Sequence, residues 1–414
     1  MLLILIQEFL HDIRRQKLRT FLTLLAITWG TIAVVILLSF GEGIGNKMVE
    51  GLRGGGNRVI FVYGGQTSKP YEGLPVGRRI RLQEEDITLL QRSIPGIEYI
   101  SPSYARWNTR IRSENASTSV FMEGVNPDYE EMRAMYSAAG GRFFNSRDVA
   151  QQRRVLFIGN KLAETLFGND DPIGQQVFVE DVPFTVVGVM AEKFQTSSMQ
   201  GPDDNRALIP YTTFRTMYGH RFIHSLLIRP TDIQAQDVLI DEMKRVLGAK
   251  YKFDVTDTQA LSIWDFIEFE QINQRIALGF QIFLFVVGFF TLLIAGVGVA
   301  NIMYVVVKER TREIGVKKAV GARRRHIISQ FVFESVFISF LGGGIGLGFS
   351  AAVILGVQSL GLNDGAWQFF GHPVLSQTTM SVTVGILTAI GLVAGVFPAR
   401  KAASVDPVES LRYE

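Results

Sequence analysis

A chain of 414 residues that is 47% apolar and only 20% charged, with a mean hydropathy of +0.19, is neither a disordered polymer nor an ordinary soluble protein. Its net charge of +3 and pI near 9.0 would suit a nucleic-acid binder, but the basic residues cluster beside long apolar runs, where membrane orientation accounts for them, so nucleic acid is not expected as a partner. The lack of cysteine excludes disulfides, thiolate metal sites and a lipidated N-terminal Cys, which leaves any large domain outside the cytoplasm to be held by its core alone.

Residues 1–18 place Leu3, Ile6, Leu10 and Ile13 on one helical face, with Arg14, Arg15, Lys17 and Arg19 at the far end. This predicts an amphipathic helix lying on the inner membrane surface, in contact with lipid. Residues 19–40 are the first predicted span. The run from Phe21 to Phe40 is too long for the apolar part of a signal peptide, and Gly41-Glu42-Gly43 offers no small-residue cleavage site.

No further run of membrane length follows until residue 276, so residues 41–275 are expected to fold on the outer side as two lobes. Strands are expected at 57–63, 97–112 and 118–125 and a helix at 83–94, then a strand at 224–229, an amphipathic helix at 231–247 and a strand at 251–255. These pieces assign one lobe to 57–139 and 219–258. The inserted lobe, 140–218, carries an apolar strand at 155–158, a helix at 160–167 and a hairpin of 177–180 with 184–189 around Asp181-Val182. Residues 41–56 and 259–275 are expected to be helical stems, the second running into the next span.

The second and third spans are predicted at 276–307 and 327–357, and between them residues 308–326 carry Lys308, Arg310, Arg312, Lys317, Lys318, Arg323, Arg324 and Arg325 against only Glu309 and Glu313. Such a short basic loop faces the cytoplasm. The loop 358–377 has no Lys or Arg and is placed outside, and a fourth span at 378–398 returns the chain to Arg400-Lys401 and a cytoplasmic tail, 399–414. Four spans with both termini in the cytoplasm satisfy every loop. Asp406-Pro407-Val408-Glu409 has the form of a capped helix start in that tail.

Three stretches carry a family likeness: ERTREIGVKKAVGA (309–322), FPARKAASVDPVESLRYE (397–414) and TLLAITWGTIAVVILLSFGEGI (23–44). Together they resemble the MacB/FtsX-type ABC-transporter permeases. The resemblance implies four membrane helices with a large α+β extracytoplasmic domain, its lobes corresponding to the porter-like and inserted subdomains of the MacB periplasmic core, and an FtsX-like permease domain over 276–410. It further implies a bacterial inner-membrane location, a second copy of the permease as partner, and an ABC ATPase that binds ATP and magnesium. An adaptor and an outer-membrane channel belong to some assemblies of this type. The implied work is mechanical: closure of the ATPase pair is transmitted to the outer domains, which move cargo already outside the membrane.

No phosphate-binding loop is evident. Gly41-Glu42-Gly43-Ile44-Gly45-Asn46-Lys47-Met48 is Gly-rich but lacks the Gly-Lys-Ser/Thr ending, so the chain is expected to be non-catalytic, without cofactor, and to rely on a separate ATPase chain. Positive-inside bias explains the arginines of 308–326 but not Glu309 and Glu313, nor Gly315 and Gly321, which would permit bends on either side of 316–320. A short helix presented to another protein fits better. By the resemblance this is the coupling helix, with Lys308, Glu309, Arg310, Thr311, Arg312, Glu313, Gly315, Lys318, Ala319, Gly321 and Ala322 as contact residues.

Glu334, two turns inside the third span, needs a partner, for which a loop arginine or Asn301 is within reach of the pattern. Gly342 with Gly346, Gly344 with Gly348, and Gly391 with Gly395 are small-residue pairs that let membrane helices approach closely. His220 and His224 have the spacing of metal ligands on a helix, but the strand that follows and the lack of a third ligand argue against a metal. Two other functions share this fold: a lipoprotein-releasing permease, and an FtsX-like regulator of a cell-wall hydrolase, whose outer domain would be much smaller than residues 41–275.

Overall fold

The computed structural model describes residues 17–196, 201–361 and 365–404. The expected surface helix before Lys17 and the helix start at Asp406 lie outside these. Two compact units are formed, one by Met48–Gln274 and the other by residues up to Lys47 together with those from Arg275 onward.

The outer unit begins with the end of α1 (Lys17–Arg53), followed by β1 (Ile60–Gly64), α2 (Glu85–Ser93), β2 (Ile97–Arg112), β3 (Ser117–Val125), α3 (Tyr129–Met132) and α4 (Ser146–Ala150). Next come β4 (Val155–Ile158), α5 (Asn160–Phe167), β5 (Gln176–Val179), β6 (Val182–Val189), β7 (Arg206–Pro210) and α6 (Tyr211–Tyr218). β8 (Ser225–Pro230), α7 (Gln236–Tyr251) and β9 (Leu261–Asp265) complete it, with the start of α8 (Phe266–Glu309).

The strand order is β3-β7-β4-β6-β5-β2-β8-β1-β9, with β2 also pairing β3. β2 therefore closes the first six strands into a ring while its N-terminal half joins β8, β1 and β9. A bulge between Arg106 and Thr109, with Asn108 at φ 56°, bends β2 where it changes partners. The strands of 140–218 hydrogen-bond to β2 and β3, which the sequence assigns to the other lobe, and a single apolar cluster takes Ile60, Leu90 and Ile228 together with Leu156, Phe184 and Phe214. Each such side chain contributes roughly 1.5–3 kcal/mol on burial, which supplies the stability that a cysteine-free outer domain must find in its core.

Two expectations fail here. Residues 251–255 are not a strand: α7 runs to Tyr251 and Lys252 ends it in a left-handed conformation at φ 59°. The stem read as helix from 259 is a strand over Leu261–Asp265, antiparallel to β1, and the helix starts at Phe266, where the Asp265 carboxylate accepts from the amides of Ile267 and Glu268.

In the second unit, α1, α8, α10 (Arg324–Ser359) and α12 (Gln377–Ser404) are long and apolar enough to cross a membrane, joined by α9 (Thr311–Ala319) and α11 (Ala366–Phe370). Small residues set their packing. A Cβ on Gly346 would lie 2.7 Å from Thr31 Cβ, and one on Gly395 would lie 2.0 Å from Ser335 Oγ, so α10 touches α1 on one side and α12 on another. Gly342 and Gly391 approach Ile27 and Ser339 in the same way, whereas Gly344 and Gly348 have nothing within 4 Å among the described residues.

Candidate functional site

The segment between α8 and α10 is built as a docked short helix. Arg310 (φ −92°, ψ 11°) interrupts the ladder after α8, and Thr311 Oγ1 donates to the carbonyls of Val307 and Lys308. α9 then carries Glu313 in its first turn and Lys317 and Lys318 in its last, each complementing the helix dipole. Gly321, at φ 102°, turns the chain into α10. Gly315 makes no bend: it is buried in the middle of α9, so of the two expected bends only that at Gly321 exists.

The inner side of α9 is fixed to the spans. Ile314 is buried in a cluster with Met303, Val307, Ile327, Phe331 and Ala402, and Lys318 Nζ donates to the carbonyl of Ala403 at 3.1 Å. The outer side presents Arg312, Glu313, Val316, Ala319 and Val320, the last 85% exposed. Lys308 and Glu309 are exposed just before it, while Ala322 packs partly buried against the apolar cluster. A face mixing both charge signs with bare aliphatic side chains is suited to a protein surface, and poorly explained by solvation alone.

Glu334 is buried in α10, and Arg310 Nη1 pairs with its Oε1 at 3.3 Å. Gln330 Nε2 lies 3.5 Å from the same oxygen. Asn301 is not in this group; it is exposed on α8.

The outer unit holds a polar core that sequence reasoning missed. Arg206 pairs with Glu123, whose carboxylate also accepts from Ser103 Oγ and Tyr129 OH. Arg133 Nη2 makes two contacts of 2.8 and 3.0 Å with Asp203, to which Lys193 Nζ donates at 2.8 Å. Burial acts against the Asp203 carboxylate, but Arg133, Arg206 and Lys193 outweigh it and hold its pKa below the usual range. Burial depresses Lys193 to about 8 in spite of Asp203. The network anchors the loop after β6 against the outer end of α1. Thr196 N donates to the Gly51 carbonyl at 3.1 Å, and a Cβ on Gly54 would lie 2.0 Å from the Phe194 carbonyl oxygen. The outer ends of α1 and α8 are also tied directly, Arg53 to Glu270 at 2.9 Å. The signal for this core in the sequence was its charged residues inside apolar strands, such as Glu123 in β3 and Arg206 at the start of β7.

Gly41 to Lys47 lie within α1, where the amides are committed to helix bonds and cannot cradle a phosphate. His220 packs among the rings of Tyr104, Phe214 and Tyr218 and His224 edge-on to Tyr63 and Trp107, and no group of three or more potential metal ligands exists among the described residues.

Four membrane-length helices with a short connecting helix, joined to an α+β extracytoplasmic domain, are the architecture of a permease subunit. The MacB-like periplasmic core domain matches residues 20–246 and the FtsX-like permease C-terminal domain matches residues 285–407, and the chain belongs to this MacB-like ABC-transporter permease family. It is 31% identical to the macrolide export ATP-binding/permease protein MacB of Bdellovibrio bacteriovorus, covering 98% of this chain and 62% of that one. To the pyoverdine export ATP-binding/permease protein PvdT of Pseudomonas putida it is 31% identical, covering 96% and 58%. The chain thus spans about 60% of the length of these curated relatives. The crystal structure of the periplasmic region of MacB from Actinobacillus actinomycetemcomitans is similar at 19% identity, with a TM-score of 0.43 over 55% of this chain and 97% of that one.

Proposed function

We propose that this chain is the membrane subunit of a MacB-like exporter, a non-catalytic part that couples ATP hydrolysis by a separate ATPase subunit to movement of the outer domain. Cargo of small-molecule, peptide or lipid-like character is driven onward from the outer side of the inner membrane. The relatives named for macrolide and pyoverdine export favour efflux over lipoprotein release or cell-wall regulation. A second copy completes the permease, both termini lie in the cytoplasm, and an adaptor with an outer-membrane channel extends the route.

The observation that carries this reading is α9. Its inner side is fastened by Ile314 and Lys318, while Arg312, Glu313, Val316 and Val320 stand outward on a rigid base. A loop that only set topology would need neither the anchoring nor the acidic residues. ATP and magnesium are bound by the partner, in keeping with a spanning helix where this chain has its glycine-rich stretch.

The test exchanges Glu309 and Glu313 for Lys. Topology alone would tolerate or favour the change, because it adds positive charge on the cytoplasmic side. A docked contact would lose acceptors at a partly desolvated interface, costing about 2–5 kcal/mol. We expect normal insertion but weakened co-purification of the ATPase, or hydrolysis uncoupled from export. Full association and export in the double variant would reject the coupling role.

A further inference from the structure

The cavity between the extracytoplasmic ends of α1, α8 and α12 is explained neither by the coupling role nor by any feature of the outer domain. It has a volume of about 410 Å³, and all its lining residues belong to the membrane unit. Its polarity is graded. Glu42, Gln281 and Thr379 line it nearer the extracytoplasmic ends of the helices, and Leu38, Phe285 and Val382, each three or four residues further in, line it about one turn deeper in the spans. Among the described residues Glu42 is the only ionisable one in the lining, and Thr379 Oγ1 lies 3.4 Å from its Oε2.

We infer that this cavity binds an amphiphile with a single apolar tail and a protonated amine head, taken from the outer leaflet. The volume falls within the range of small-molecule sites, roughly 300–1,000 Å³, which accommodates one chain and a compact head but not a whole phospholipid. An ammonium offers three donors and no acceptor. Glu42 supplies the opposing charge, and the Gln281 carbonyl and Thr379 hydroxyl supply further acceptors. At the membrane interface a carboxylate in an otherwise uncharged cleft disfavours anionic heads and gives neutral ones no opposing charge to offset displacing its water. The tail stays at a depth where Leu38, Phe285 and Val382 replace lipid contacts. This site goes beyond the export reading, since binding here requires neither ATP nor the ATPase.

The experiment uses the full chain in phosphatidylcholine nanodiscs with radiolabelled dodecylamine as probe, each signal corrected for empty nanodiscs. Saturable binding is expected. Glu42→Gln should weaken it at least tenfold, Glu42→Asp should largely restore it, and Thr379→Phe should fill the cleft and abolish it, with thermal unfolding confirming that each variant is folded. Unlabelled dodecylamine should compete, whereas dodecanol and dodecyl sulfate should not. Equal binding by wild type and Glu42→Gln, or competition by dodecyl sulfate as effective as by the amine, would overturn the inference. Nanodiscs doped with the single-tailed lysophosphatidylethanolamine separate the sources: loss of probe binding there identifies a single-chain lipid amine as the usual occupant, retention identifies a free cationic amphiphile, and both keep the amine site. Because the chain has no cysteine, Ile282→Cys reports a competing occupant cleanly. Oxidative cross-linking of two chains through it would show the cleft to be a seam between copies and would also overturn the inference.

Discussion

Arg310 and Glu334 meet at 3.3 Å with side chains only 14% and 8% exposed, joining the break before α9 to the interior of α10. The pair fixes where the connecting helix leaves the spans. Removing one partner takes the opposing charge from a largely buried ion, which costs about 3–5 kcal/mol, whereas replacing both by apolar groups can be nearly neutral. Arg310→Leu should therefore lower the melting temperature of the purified protein markedly, and Arg310→Leu with Glu334→Leu should recover most of the loss. A double variant as unstable as the single one would show that the pair is not the source of the effect.

Helix packing gives a second prediction with an internal control. A side chain at Gly395 would collide with Ser335 and approach Val332 Cα at 3.1 Å, while Gly348 has open space within 4 Å. Gly395→Val is expected to destabilise the membrane unit by about 1–3 kcal/mol, as overpacking does, and Gly348→Val to change it little. Heating in detergent followed by size-exclusion chromatography would separate the two. Equal loss at both positions would argue against the α10 and α12 contact.

Much of this was legible in advance, for physical reasons that also mark the limit. A bilayer demands long apolar helices and penalises misplaced Lys and Arg, so the four spans and the basic connector follow from local sequence. Strand pairing is not local: Arg206 and Glu123 are 83 residues apart and Arg133 and Asp203 are 70, and nothing in either neighbourhood announces the partner. Residues 261–265 were readable as helix because Ser262-Ile263-Trp264 contains no breaker; their pairing with β1 decided otherwise. Gly315 shows the reverse error, since a glycine that could bend the chain sits buried in a regular helix.

The depressed Lys193 gives the outer domain a specific pH response. Its pKa falls from 10.5 to about 8 on burial, so between these values the unfolded chain binds a proton that the folded chain does not. Stability contributed by this group therefore rises with pH above about 8, at up to ~1.4 kcal/mol per pH unit, and its cost is constant below. Burial of tyrosines has the opposite sign at higher pH, Tyr63 being pushed up to about 12, so the window to read is pH 8 to 10. Unfolding followed across that window should show a rising component that Lys193→Met removes. Superimposable profiles for the two proteins would exclude it.

The last prediction concerns the proposed second copy. Asn301 is exposed on α8, and at 1.5 Å per residue it lies about 12 Å before the end of that helix, within the expected hydrocarbon depth. One turn back, Val297 is 61% exposed and a Cβ on Gly298 would meet nothing within 4 Å, and two turns back Ile294 is 72% exposed. An amide facing lipid has no hydrogen-bond partner there, whereas the same amide facing another α8 could pair across the seam, with Gly298 allowing close approach. Such bonds contribute about 1–2 kcal/mol in model helices, which is near tenfold in association. Asn301→Leu should thus weaken self-association about tenfold in energy-transfer titrations of labelled chains in lipid, and Asn301→Gln should retain it. Gly298→Leu should weaken association without lowering the stability of the single chain. Unchanged association in both Asn301→Leu and Gly298→Leu would place the seam on another face.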